Sequence, residues 1–456
     1  MPEQRQRHSS TDRTGWIRIL IAIPIAAIGF GCGDTGDERR PPPYANVLLV
    51  VIDSLRADHL QSYGYPRETS PFLDRLAREG ARFEHAVAPS SRSLPSLVTL
   101  LTALPPEQHG VVRADLALDD SALTLAEVLA DRGFATAAFV TGPELAATRG
   151  LAQGFETYVE TRVERQVEDQ SENATPASVG GLTQSVTGPN EWLNEWDQSG
   201  RRAPFLLFVH LPLLTRGDEF PPTPTEEMRG PENPGPTEIE RAIARYDDAI
   251  RRADHELGQI VQLLDSLELR QETLVIVTSN HGEEFLERGN LGHGRTLYGE
   301  SVRVPLIVRF PSRLDAGKVI PEPARLMDIG PTVMMLARVR RPLEFGFLHE
   351  AYGFSMRDLT ELLLGEPSGR NVVLPGDLAE KFQSLRLGSY KLIRNLALDE
   401  PERYEYFNLD LDPDELNDIF ESERKRAGFM IKQLDAWREI CADRQHYARP
   451  HQPAGE

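Results

Sequence analysis

Residues Asn46 to Ser54 read NVLLVVIDS. Val47 to Ile52 are apolar without alternation, so a strand built from them has no face it can leave in water. Such a strand belongs in a mainly parallel sheet covered by helices on both sides. In open sheets of this kind chemistry gathers just beyond the carboxyl ends of the strands, and Asp53 stands there. A second stretch repeats the arrangement: Leu274 to Thr278 is apolar and β-branched, and Ser279-Asn280-His281-Gly282 follows it. Between the two lies Ser90 to Thr102, dense in hydroxyls. These three stretches are expected to meet in one site.

The rest of the chain keeps an α/β rhythm. Ser70-Pro71 opens a helix that runs to about Glu79. Ser93 can cap a further helix, with Pro95 in its first turn. Helix is expected over Ser121–Asp131, closed by Gly133, and strand over Phe134–Val140 and Phe205–Val209. The polar stretch 160–200 reads as a surface excursion, with a short helix at Glu191–Trp196. Ile243, Ile250, Leu257, Ile260 and Leu264 mark a long helix over Ile239–Leu269 that lies against the sheet. Val304–Phe310 is another strand and Asp328–Arg338 another helix. From about residue 346 the pattern changes to short, partly alternating segments at Ser384–Leu387, Lys391–Asn395 and Tyr404–Leu409, then a helix at Glu421–Cys441. The expected architecture is a large mixed, mainly parallel sheet flanked by helices (46–345), a smaller C-terminal α+β domain with an antiparallel sheet (346–445), and a tail (446–456).

A formal net charge of −20 over 456 residues argues against sequence-independent nucleic-acid binding. Two cysteines, Cys32 and Cys441, exclude a disulfide framework. Arg5, Arg7, Arg13 and Arg18 precede an uncharged aliphatic run, Ile19 to Gly31, which suits a signal-peptide core. Gly29-Phe30-Gly31-Cys32-Gly33 resembles a bacterial lipoprotein cleavage box. Residues 33–45 then read as a tether. The expectation is an exported envelope protein, periplasmic or in the outer membrane, that touches a membrane only through a lipid at Cys32 or an N-terminal anchor. Neither a dinucleotide-binding nor a P-loop glycine pattern is present.

The ordered set of motifs resembles the sulfatase branch of the alkaline phosphatase superfamily. The motifs are Asp53 with Leu55-Arg56-Ala57-Asp58; Ser93-Leu94-Pro95-Ser96 with Thr102 and His109-Gly110; Tyr246, Asp247 and Asp254; Ser279-Asn280-His281-Gly282-Glu283; Gly292-His293-Gly294; Val304-Pro305-Leu306-Ile307; Asp328-Ile329-Gly330-Pro331-Thr332; and Leu409-Asp410 with Asp412-Pro413, Glu415 and Asn417. The resemblance implies a metal-dependent hydrolase or transferase of sulfate or phosphate esters on a small molecule, glycan or lipid. By position, Asp53, Asn280 and His281 resemble ligands of one divalent cation, Ca²⁺ or Mg²⁺ first and Mn²⁺ or Zn²⁺ as alternatives. Ser93 resembles the nucleophile. His293 and His109 resemble pocket residues that assist the reaction, and Arg56, Arg92 and Arg216 are placed to grip an anionic ester. Glu283 and Glu284 are expected to be exposed.

Four departures separate the chain from the family pattern. Ser54 stands where a second aspartate is usual. Asn280-His281 stands where Asp-His is usual, and an amide oxygen brings no charge to a hard cation. Leu97 replaces the arginine of the Cys/Ser-x-Pro-x-Arg context, so conversion of Ser93 to formylglycine is not expected. The loop after the Phe205 strand carries Leu213 to Phe220 with no histidine. Together they leave a rival open: a protein that keeps the fold, has lost the reaction, and binds an anionic glycan or lipid or serves a structural role at the envelope.

Overall fold

The computed structural model describes residues 44–161, 183–213, 236–347, 355–366, 373–378, 381–396, 402–442 and 446–452. Cys32, the tether up to residue 43 and Arg216 lie outside them. Asn46–Ile52 is buried along its whole length. It pairs in parallel with Phe205–Leu211 on one side and Thr273–Thr278 on the other, so it occupies the centre of an eight-stranded sheet. The spatial order is Lys318–Ile320, Ala81–Phe83, Leu306–Arg309, Thr273–Thr278, Asn46–Ile52, Phe205–Leu211, Ala135–Thr141, Thr157–Thr161. Only Leu306–Arg309 runs against its two neighbours. The sheet is therefore mixed and mainly parallel, as the unbroken apolar strands require.

Alternate residues of the central strand feed two separate cores. Val47, Leu49 and Val51 join a core that also holds the helix Ser93–Thr102 and the helix Ile329–Leu336. Leu48, Val50 and Ile52 face the other core, closed by the long helix Pro236–Ser266 and the helix Pro71–Glu79. Each fully buried aliphatic side chain here contributes about 1.5–3 kcal/mol relative to exposure. This two-sided burial holds the strand register, and with it the position of Asp53 one residue past the strand.

Local differences from the expected elements follow local chemistry. The helix expected at Ser121–Asp131 begins only at Leu125, because Thr124 and Glu127 form a reciprocal capping box. The helix before the Phe205 strand is longer than expected, Thr183–Gln198. Ser93 does not cap its helix: Arg92 holds the N-cap position, Ser93 is the first helical residue, and no side chain caps that end.

Val373–Leu378, Phe382–Leu387, Tyr390–Asn395 and Arg403–Asn408 form an antiparallel sheet, followed by the helix Arg424–Ala442. This smaller α+β region packs into the first core through Leu385, Leu392, Tyr406 and Trp437. Trp437 Nε1–H donates to Glu107 Oε1 at 2.8 Å, close behind the Ser93 helix. Ala448–Pro450 forms a strand antiparallel to Leu116–Leu118.

Candidate active site

Two loops meet at the carboxyl end of the central sheet and are stitched together by short hydrogen bonds. Ser54, in the left-handed region at φ 57°, donates its backbone N–H to Asn280 Oδ1 at 3.1 Å. Leu55 N–H donates to Ser279 Oγ at 2.9 Å. From the long helix, Tyr246 accepts from Arg56 N–H at 2.9 Å and donates to the Ser54 carbonyl at 2.7 Å. Gly282 permits the close approach of the next loop: a Cβ there would lie 2.0 Å from the Glu300 carbonyl oxygen. Gly282→Ala is expected to destabilise the fold by about 2–4 kcal/mol. Chemical denaturation measures this, and an unchanged midpoint would refute the packing argument.

Ser93 enters from the N-terminus of its helix, and its Oγ lies 3.0 Å from His281 Nε2. The other ring nitrogen, Nδ1, lies 2.8 Å from the Gly282 carbonyl. A carbonyl can only accept, so Nδ1 carries the proton and Nε2 presents its lone pair to the serine hydroxyl. Burial, and then the charge of His293, push the His281 ring down to about 3, which keeps it neutral and ready to accept. Its Nε2 is 3.6 Å from Asp53 Oδ1, so an imidazolium formed there would be stabilised by that carboxylate. The free N–H groups of the helix start favour negative charge near Ser93.

His293 stacks beside His281, with ring centroids 4.3 Å apart. Its Nδ1–H donates to Glu283 Oε2 at 2.9 Å. Burial alone lowers the affinity of His293 for a proton, but the Glu283 bond and the charges of Glu283 and Asp53 outweigh it and raise the ring to about 9. His293 is therefore cationic at neutral pH, and its side chain keeps 42% exposure. Burial raises the Asp53 carboxyl, but His210, His281, His293 and the Asn280 bond together bring it below its ordinary value.

The structure thus brings Ser93, His281, Asp53, Asn280 and His293 together. Arg92 lies at the rim, exposed, with Nη2 3.4 Å from the Gly294 carbonyl. Three sequence expectations need correction. Arg56 is not free to grip a substrate: it holds Asp58 through two bonds, Glu287 and the Glu283 carbonyl. Glu283 and Glu284 are buried rather than exposed, the first on His293 and the second on Thr296 and Ser301. His109 does not line the pocket. It is fully buried, takes Val111 N–H on Nδ1 at 3.0 Å, and places Nε2 within 3.2 Å of the Pro95 carbonyl. It bolts the first turn of the Ser93 helix to the following loop.

Burial pushes the His109 ring down to about 3 from an ordinary 6.5, with the Pro95 bond opposing. The folded value lies below the unfolded one. The stability this neutral ring protects is therefore complete above pH 6.5 and is lost as pH falls toward 3. His109→Gln, which cannot take up a proton, is expected to lose less stability between pH 7 and pH 4, by on the order of 3 kcal/mol. Identical pH profiles for the two proteins would contradict this.

His210 is a site residue that motif matching passed over. It sits in the Phe205–Leu211 strand, paired with Val51, and is 2% exposed. Neither ring nitrogen makes a well-formed hydrogen bond, although the Thr141 backbone and the Asp53 charge lie near. The signal was available as the one polar side chain in FLLFVHL. Glu283 left a weaker signal, because nothing in its spacing says that it turns inward.

Asn280, one of the three residues expected to hold a divalent cation, does not fit that task for Ca²⁺ or Mg²⁺. Asn280 Oδ1 already accepts from the Ser54 and His281 N–H groups at 3.1 and 3.0 Å. Its Nδ2 points at Asp53 Oδ1, 2.5 Å away. Reversing the amide would aim its N–H₂ at two N–H donors, so the orientation is fixed by the backbone. The group turned toward Asp53 is a donor, and a donor cannot ligate Ca²⁺ or Mg²⁺, which take oxygen ligands.

A family model described as Sulfatase matches residues 45–339. Steryl-sulfatase of Mus musculus is 27% identical over 418 residues, covering 71% of this chain and 65% of that protein. Arylsulfatase A of Homo sapiens is 30% identical over 367 residues, covering 72% and 68%. The chain thus spans about two thirds of the length of these relatives. N-acetylgalactosamine-6-O-sulfatase of Bacteroides thetaiotaomicron is 22% identical over 498 residues, covering 88% and 95%. The crystal structure of the phosphonate monoester hydrolase of Agrobacterium radiobacter has the same fold, with TM-score 0.68 and 20% identity, covering 87% of this chain and 96% of that one.

Proposed function

The chain belongs to the sulfatase family, and from that premise we propose that it hydrolyses sulfate or phosphate esters with Ser93 as the nucleophile. One observation carries the reading: Ser93 Oγ lies 3.0 Å from the unprotonated nitrogen of an imidazole whose other nitrogen is pinned by a backbone carbonyl. In the first step the Ser93 oxygen bonds to sulfur or phosphorus, its proton passes to His281 Nε2, and the bond to the leaving oxygen breaks. That oxygen takes a proton from His293, which Glu283 keeps charged. Water then displaces the serine oxygen and the protons return. Arg92 at the rim offers a further cationic contact to the ester.

Leu97 is fully buried and offers no cationic group, so Ser93 is read as an unmodified serine. An unmodified serine favours phosphorus, since a serine O-sulfate lacks the release route that a formylglycine hydrate provides. The glycan sulfate named for the Bacteroides relative makes an ester-bearing glycan the first substrate class to try. Ser93 turnover on a panel of nitrophenyl sulfate, phosphate monoester and phosphodiester, beside sulfated and phosphorylated oligosaccharides, tests the reading. A protein inactive on every member, with and without added divalent cation, would overturn it. The buried Leu97 also favours a second reading, a binding protein for an anionic glycan. That reading requires oligosaccharide binding without turnover, undiminished in Ser93→Ala.

A further inference from the structure

Asp53 lies just past a buried strand and is itself partly buried, its side chain 26% exposed, and among the described residues no lysine or arginine is bonded to it; a carboxylate so placed needs a partner. Its hydrogen-bond partner is a neutral amide, Asn280, with the His281 ring 3.6 Å away. The side chain of residue 280 has two ends with different tasks. The inner end is held by two converging backbone N–H groups, from Ser54 and His281, and they require an acceptor there. The outer end faces Asp53 Oδ1 at 2.5 Å. An aspartate at this position would satisfy the inner donors with one oxygen and turn the other toward Asp53. Two carboxylate oxygens at that separation repel unless a cation or a shared proton lies between them. With asparagine the outer atom is an N–H₂ that donates directly to Asp53, and the space between the two side chains is closed by the hydrogen bond itself. Residue 54 brings no carboxylate of its own: it is a serine, and its backbone N–H and carbonyl are taken by Asn280 and Tyr246.

We infer that the Asn280 amide does the work of a resident divalent cation at this site: it binds and orients Asp53, and Ser93 is activated by His281 without a metal ion beside it. The second half rests on Ser93 being the nucleophile, as proposed above; the first half does not. Asn280 acts here as a positioning residue, through Asp53. The inference also explains why Ser93 meets His281 directly. A ring whose Nε2 accepts the serine proton has no lone pair left for a cation.

The test is metal content and metal response of the full-length protein, beside Asn280→Asp. Wild-type protein is dialysed against Mg²⁺, Ca²⁺, Mn²⁺ or Zn²⁺ in turn, and bound metal is measured by mass spectrometry. Melting temperature is recorded with each ion and with chelator. The expected result is far less than one ion per chain and a melting temperature indifferent to ions and chelator. Asn280→Asp should melt lower in chelator, regain its melting temperature with a divalent cation, and bind that cation at least about tenfold more tightly than wild type. If the variant does not fold even with metal, the wild-type measurements alone decide.

About one ion per wild-type chain, lost in Asp53→Ala, would overturn the inference. Zinc held by Asp53 and the neighbouring imidazoles counts as such an ion. The two readings fail separately. Ester turnover that collapses in chelator sinks the metal-free site and leaves the hydrolase standing. Metal-free protein without turnover on any ester does the reverse.

Discussion

Ser93→Ala is expected to lower ester turnover by on the order of 10⁴-fold or more while leaving the fold intact. The size follows from the role. Without the hydroxyl there is no group to form the covalent intermediate. The preserved fold follows from the geometry. The hydroxyl bonds to a side chain, His281, rather than to the backbone, and it caps no helix. The melting temperature should therefore stay within about 3 °C. Steady-state turnover and acid-quenched peptide mass spectrometry check both parts, since wild type alone should yield a sulfuryl or phosphoryl adduct on the Ser93 peptide. A variant that keeps its turnover would move the nucleophile elsewhere.

His293→Gln is expected to lower kcat by about 10²–10⁴-fold on esters with poor leaving groups and by less on nitrophenyl esters, which depart without a proton. Glu283→Gln separates the charge of the pair from its geometry, because glutamine still accepts the Nδ1–H bond. In wild type the cationic ring is the active form and persists up to about pH 9, so kcat should fall as pH rises through that value. Without the Glu283 charge the ring returns toward its ordinary 6.5, and the alkaline limb should move down to near neutrality. An alkaline limb that stays near pH 9 in Glu283→Gln would show that His293 does not govern it. The same linkage touches stability. The raised ring adds stability that is complete below pH 6.5 and is lost as pH rises through 9.

The central sheet was legible because its strands are buried on both faces. Val47 to Ile52 and Leu274 to Thr278 admit few other placements, and they put Asp53 and Asn280 side by side. Side-chain identity at positions 53, 93, 281 and 293 was equally legible, since each falls in a loop or helix start at the same end of the sheet. Direction was not. The sequence places Asn280 beside Asp53 but does not say which end of its amide faces the carboxylate; two backbone N–H groups from different loops decide that. His109 and Arg56 failed for a related reason. Both sit in matching motifs, but burial turns one onto the Pro95 carbonyl, and acidic neighbours take up the other. His210 was passed over because the apolar run was read only to Val209, although it is the one polar side chain of that strand.

The strand formed by Ala448–Pro450 has a consequence for how this chain can be cut and recombined. It zips onto Leu116–Leu118, and its flanks add bonds from His451 N–H to the Asp115 carbonyl and from Asp119 N–H to the Tyr447 carbonyl. Trp437 reaches the same neighbourhood through Glu107. The family-matched segment ends at residue 339, yet the ground behind the Ser93 helix is completed by residues a hundred positions later. Modularity in the sequence is therefore not modularity in the fold. A chimera that exchanges only residues 45–339 would pair one parent's nucleophile helix with the other's carboxyl-terminal brace, and the seam would run directly behind the active site.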